Sequence, residues 1–183
     1  MSLNRTNDSG NRREDWQSPK WLFDFLVEEC NTNFQIDCAA DADNTLCPFW
    51  LDEKDDFLAQ TKFDPMTWHW ANPPYLTGRQ KHKKLEWMYK LMSVPKIVCL
   101  LPAAIGAEWF QTIWDGADCI CFLRKRLKFT HPELGELAAA QFDSCLAIRG
   151  TGEAYFHALT QIGNVVLLRE PGGGRRFGSY CGQ

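Results

Sequence analysis

"KIVCLL", residues 96–101, decides the fold. The run is almost continuously apolar and shows no alternation of polar and apolar positions. A strand of that kind is covered on both faces, which requires helices above and below a sheet. Upstream lies "WHWANPPYLTG", residues 68–78, where the strand-like run "TWHWA" (67–71) ends on an Asn and two prolines. Proline cannot donate to a sheet ladder, so that strand stops there. Further upstream, "FQIDC" (34–38) is another short strand. Downstream, "DCICFL" (118–123), "DSCLAI" (143–148) and "NVVLL" (164–168) read as further buried strands.

Helical patterns separate these strands. Ser18-Pro19 has the form of an N-cap followed by a proline in the first helical position. Leu22, Phe23, Leu26, Val27 and Cys30 then recur at helical spacing. "KKLEWMYKLM" places Leu85, Met88, Tyr89 and Met92 on one face, and "AEWFQTIW" does the same with Trp109, Phe110, Ile113 and Trp114. "EAYFHALTQI" (153–162) is a further helix. The alternation predicts an α/β fold with a mostly parallel sheet and helices on both faces. Ligands of such sheets collect at the carboxyl ends of strands, and Asp37 and Asn72 both stand at such ends. Residues 47–51 fit either a short strand or a short helix.

The totals agree with one globular domain. The chain has 183 residues, 45% of them hydrophobic and 23% charged, which is neither a disordered nor a membrane-like composition. A net charge of −3 does not suggest general polyanion binding, and a nucleic-acid site would have to be a local basic patch. Cys38, Cys99, Cys119, Cys121 and Cys145, among eight cysteines, lie in apolar runs, and there is no CxxC pair for zinc. With no signal-like or spanning segment, the expected location is cytoplasmic, with reduced thiols. Residues 1–14 are expected to be a disordered arm, 15–170 the domain, and 171–183, "PGGGRRFGSYCGQ", a flexible tail.

The four residues "NPPY" carry a chemical argument. Proline after Asn72 favours an extended Asn72. The Asn72 side-chain oxygen and the Pro73 carbonyl are then two acceptors held rigidly beyond the sheet. Pro74 stiffens the turn and Tyr75 adds a flat ring. A planar group bearing an exocyclic amine suits this set: both hydrogens are accepted, the ring stacks, and the nitrogen lone pair is exposed. Catalysis by placement and fixed dipoles then suffices, without a strong base.

"NPPY" after a strand is also the motif of amino-methyltransferases that use S-adenosylmethionine. The ordered set "DWQSPKWLFDFL", "FQIDCAADADNTLCPFW", "DDFL", "WANPPY", "CLLPA", "LKF" and "FDSCLAI" resembles the phage-type, Dam-like DNA adenine-N6 methyltransferases over residues 15 to about 149. The resemblance implies a single-domain Rossmann-like methyltransferase fold, S-adenosylmethionine as methyl donor, and DNA as the partner. It implies flipping of an adenine out of the helix, with Asn72 and Pro73 holding the amine, Pro74 keeping the turn rigid and Tyr75 stacking on the base. A role in evading restriction follows from the likeness to phage enzymes.

The same resemblance points to a cofactor side. Asp37 opens a D-x-A-A segment in which Ala39 and Ala40 allow close approach. Asp41 and Asn44 follow, and are equally readable as turn residues. Asp55 or Asp56 would face the adenine or ribose, or belong to a solvated acidic turn. Ser18 and Pro19 lie in a segment that closes over the methionine half. There is no Gly between 11 and 77, so a glycine-rich cofactor loop is missing. For DNA, Arg79, Lys81, Lys83 and Lys84 in "GRQKHKK" and Arg124, Lys125, Arg126 and Lys128 in "RKRLK" are the candidate phosphate contacts. Arg175 and Arg176 are possible additions. "NPPY" geometry also serves RNA amines and protein glutamine amides, and a catalytically silent DNA-binding module is a third reading.

Overall fold

The structure, a computed structural model, describes residues 17–74, 81–131, 135–150, 153–169 and 175–180. In chain order the elements are α1 (Lys20–Glu28), β1 (Phe34–Asp37), β2 (Phe49–Trp50), β3 (Trp68–Ala71), α2 (Lys81–Leu91), β4 (Ile97–Pro102), α3 (Glu108–Gly116), β5 (Cys119–Leu123), β6 (Lys128–His131), β7 (Gly135–Ala139), β8 (Ser144–Arg149), α4 (Glu153–Leu159), β9 (Gly163–Arg169) and β10 (Arg175–Tyr180). A 3₁₀ turn, Phe57–Ala59, lies between β2 and β3.

Among the described residues the main sheet has eight strands in the order β10-β9-β5-β8-β4-β3-β1-β2, and β6 and β7 form a separate hairpin. The sheet is mixed rather than mostly parallel. β2, β1, β3 and β4 pair in parallel, whereas β4–β8, β8–β5, β5–β9 and β9–β10 are antiparallel. The cause is the route of the chain. The first half crosses from one end of the sheet to the other before re-entering, which gives parallel neighbours. The second half turns back through the β6–β7 hairpin, so β8 descends between β4 and β5. The expected tail contains β10, which covers the edge of β9.

Two cores flank the sheet. On one face α1 (Leu22, Phe23, Leu26) and α4 (Tyr155, Phe156, Leu159) pack on Phe34, Trp70, Val98, Leu100 and Leu146. On the other, α2 (Met88, Leu91) and α3 (Trp109, Phe110, Ile113) pack on Ala71, Ile97, Cys99, Leu101 and Ala147. The alternation along β4 divides "KIVCLL" between the two cores, as a strand covered on both faces requires. Cys38, Cys99, Cys119, Cys121 and Cys145 are buried and unbridged.

Local sequence details differ from expectation in physical ways. Pro19, not Ser18, occupies the N-cap of α1, and no side chain caps that end. Val27 faces outward and Cys30 lies past the helix end. α4 stops at Leu159, followed by hydrogen-bonded turns at Thr160 to Ile162. Gly150 has φ +88, and a Cβ there would lie 2.5 Å from the Pro95 carbonyl oxygen. Only glycine permits that approach, and its N–H donates to Asp118 Oδ2 at 2.6 Å.

Candidate active site

From β1 the chain moves outward to β2, then returns past β1 to β3. Connections therefore leave β1 and β3 in opposite directions, the arrangement at whose carboxyl ends ligands of such sheets bind. Asp37 is the last residue of β1 and Asn72 follows the last residue of β3. Asp37 pairs in register with Trp70, and the Cys38 N–H donates to the Trp70 carbonyl at 2.8 Å. Strand spacing and rise then put the Asp37 and Asn72 Cα atoms about 8 Å apart. These two residues, far apart in sequence, are thus neighbours at one sheet edge.

Asp37 is 4% exposed. Burial pushes its carboxyl up to about 7, and hydrogen bonds from the Ala39 and Leu46 amides work in the opposite direction. The Ala39 N–H lies 3.2 Å from Oδ1. Among the described residues no cation neighbours this carboxyl. A buried acid in that setting lacks a positive partner, and an ammonium group fits it.

The loop after β1 manages without glycine by bonding to itself. The Ala40 N–H donates to the Leu51 carbonyl. Asp41 Oδ1 accepts from the Asp43 and Asn44 amides, and Asn44 Oδ1 accepts from the Asp41 amide. Cys47 N–H donates to Thr45 Oγ1. Ala40 is buried and Ala39 half-buried, while Asp41 is exposed. Side-chain caps thereby do what a glycine-rich turn does elsewhere, and they take up most of the loop's amides.

The acidic stretch beyond β2 is similarly self-satisfied. Asp52 Oδ1 accepts from the Lys54 and Asp55 amides, and Asp55 Oδ2 accepts from the Asp52 amide. Asp56 has φ 45 and caps the 3₁₀ turn, accepting from the Leu58 N–H. Phe57 is buried and stacks on Trp87 with centroids 5.0 Å apart. Asp52 is the first carboxylate past β2, beside the Leu51 N–H to Asp37 carbonyl bond. The sequence reading passed over it because β2 is two residues long and both are exposed, which leaves no apolar run to mark a strand end.

Pro73 is buried, Asn72 and Pro74 half-buried. Tyr75 and Arg79 lie outside the described residues. His69, earlier in β3, is buried with Nδ1 3.1 Å from the Lys96 carbonyl. Burial holds its imidazole below the usual range. It stands roughly 10 Å from Asn72 along the strand and serves the core.

Ser18 and Pro19 reach the same edge of the sheet. Gln17 bridges β6 through its N–H to the Thr130 carbonyl at 2.8 Å. β6 follows the carboxyl end of β5, which points the same way as β3. Pro19 is buried and Ser18 half-buried.

The basic residues divide. Lys81 opens α2 and Lys83 beside it is exposed. The Lys84 ammonium lies 4.2 Å from the Trp109 ring centroid, and burial lowers its pKa. Arg124 donates to the Thr160 carbonyl at 2.9 Å. Arg126 pairs with Asp143 at 3.1 Å. Lys125 and Lys128 are exposed. The 124–128 loop stands at the carboxyl end of β5, three strand spacings, or about 14 Å, from β3.

Among the described residues no helix is long and apolar enough to cross a membrane. A family model described as "DNA N-6-adenine-methyltransferase (Dam)" matches residues 5–154. No curated protein matches the chain.

Proposed function

The chain belongs to the Dam family of DNA N-6-adenine methyltransferases, and on that premise we propose that it methylates the N6 amine of a flipped adenine at the Asn72–Tyr75 edge. The observation that carries this reading is the meeting of Asp37 and the Asn72-Pro73-Pro74 turn at one topological switch point.

On this reading the fold is Rossmann-like at that switch point, and the methyl donor is S-adenosylmethionine, which supplies an electrophilic methyl group. Its α-ammonium would pair with the buried Asp37 carboxylate, which has no cation beside it among the described residues. Ser18 has a hydroxyl not used in helix capping and would close, with Pro19, over the methionine half. Ala39 and Ala40 leave room beside the backbone. Asp52, or failing it Asp55, would accept from ribose hydroxyls, as acidic residues beyond a second strand do in dinucleotide folds. Asp56, Asp41 and Asn44 would act by shaping the two loops, since their side chains cap backbone amides.

On the adenine side, the Asn72 side-chain oxygen and the Pro73 carbonyl accept the two N6 hydrogens. Tyr75 stacks on the base. The nitrogen forms its bond to the methyl carbon as the carbon–sulfur bond breaks, and one N6 proton then passes to solvent. No side-chain base is needed, and His69 is too remote and too buried to be one. A duplex adenine reaches this edge only after leaving the helix.

The test is transfer of labelled methyl from S-adenosylmethionine to unmethylated DNA, followed by digestion to nucleosides. Label in N6-methyladenine, lost in Asn72→Ala, is the expected result. Label in RNA or in glutamine instead, or none at all, overturns the assignment.

A further inference from the structure

Ile105 is 62% exposed, and its surroundings are unusual for an exposed aliphatic residue. It lies in "AAIGA", residues 103–107, immediately past β4. The Ala107 N–H donates to the Ala104 carbonyl at 2.8 Å. That bond closes a four-residue turn in which Ile105 is the first central residue. Turns of this kind accept most residues, with Pro favoured at that position, so turn geometry does not itself call for an exposed isoleucine. The turn is held at its base as well: the Ala103 N–H donates to the Asp143 carbonyl, and the Ala104 N–H to that of Pro102, each at 2.8 Å. Its neighbours Ala103, Ala104, Gly106 and Ala107 are small, so the isoleucine stands alone at the tip.

The position matters as much as the shape. β4 is the parallel neighbour of β3, with Ala71 opposite Cys99. Ile105 follows that level by six residues, so the turn rises from the same edge as Asn72. Its Cα lies at most roughly 18 Å from that of Asn72, and less because the turn doubles back. Lys84, on the first turns of α2, lies over Trp109 in the first turn of α3. That contact ties the start of α2 to the start of α3 just past the turn, and Lys83, next to Lys84 on α2, is exposed. A rigid apolar tip on the edge that carries Asn72 matches the stacked bases of a duplex, between which apolar side chains insert.

We infer that Ile105 is a positioning residue that enters the base stack and fills the gap an adenine leaves on flipping. This rests on the base-flipping reading above. The apolar tip would replace the stacking of the departed base and slow its return, while Asn72 and Pro73 hold the amine.

The wild-type enzyme first identifies its methylated adenine. Transfer is then compared on a duplex with that adenine paired and on the same duplex with an abasic site opposite it, where leaving the stack costs less. Ile105→Ala should reduce kcat/KM on the paired duplex by about tenfold and change the abasic-opposed duplex far less. Ile105→Leu should restore most of the paired activity. Equal loss on both duplexes, or no loss on either, overturns the role of Ile105 while leaving the methyltransferase reading in place. Absence of any label with the wild type overturns both.

Discussion

Burying the Asp37 carboxyl carries a cost that depends on pH. Its folded pKa is pushed up to about 7 by burial, well above the ordinary range near 3.9. The folded chain therefore holds this proton more tightly than the unfolded chain. The stabilising contribution is full below about pH 4 and is lost as pH rises through about 7. Asp37→Asn removes the ionisation cost and should raise Tm relative to wild type at pH 8, with the gap closing by pH 4. A gap that does not change with pH would mean that the carboxyl ionises freely. The same ionisation governs the proposed pairing with an ammonium. Affinity for S-adenosylmethionine, measured by calorimetry, should strengthen in the wild type from pH 5.5 to about 7, below the range in which an α-amino group loses its own proton, and be weak and flat over that interval in Asp37→Asn. Asn72 belongs to the same scale: Asn72→Ala should keep cofactor affinity within a few-fold and lose transfer by 10² or more, the size of a lost preorganised contact. The strand-end positions of Asp37 and Asn72 were legible in the sequence, the first from a short strand-like run that stops at a carboxylate, the second from the prolines that end its strand. The pairing of the two was not, since nothing local encodes which strands become neighbours.

At the scale of elements, long apolar runs and helical spacing announced α1, α2, α3 and the buried strands, because burial on one or both faces leaves a periodic trace. The stretch 39–66 left no such trace. Its order comes from Asp and Asn side chains bonded to nearby amides, which in sequence resemble any solvated acidic turn. β6 and β7 were missed for a related reason. The hairpin lies apart from the main sheet, and its polar residues carry no sustained alternation. Asp56 separates a structural role from a cofactor role. It caps the 3₁₀ turn that seats Phe57 against Trp87, and its φ of 45 is a conformation glycine tolerates better. Asp56→Ala should cost about 1 kcal/mol of stability, the usual cost of a lost cap, with the affinity for S-adenosylmethionine nearly unchanged. Asp56→Gly should cost less. Chemical denaturation and calorimetry on the two variants check this, and a loss of affinity without a loss of stability would move Asp56 to the cofactor.

For the whole molecule, the decisive feature is that one sheet edge gathers candidate residues from distant parts of the sequence. β1, β3, β4 and β5 all point their carboxyl ends the same way. That edge holds Asp37, Asn72, the Ile105 turn and the 124–128 loop. The span of about 14 Å from β3 to β5 is close to the roughly 12 Å width of a major groove, so a duplex laid across this edge would span the Asn72 turn and the basic loop together. With a net charge of −3, binding depends on individual cations rather than on an overall field. Their structural engagement divides them. Lys83 and Lys125 are exposed and make no ion pair among the described residues. Arg124 is tied to the Thr160 carbonyl at the end of α4. A residue that neutralises one phosphate contributes about 0.9 to the slope of log K against log salt. Lys83→Ala and Lys125→Ala should therefore each lower that slope by about one, measured by fluorescence anisotropy of a labelled duplex over a salt series. Arg124→Ala should leave the slope unchanged and lower Tm by releasing the Thr160 carbonyl just past α4. A reversed pattern, with the slope falling only for Arg124→Ala, would show that the phosphates run past α4 rather than across the carboxyl edge, and the duplex would then have to approach from the β9 side of the sheet.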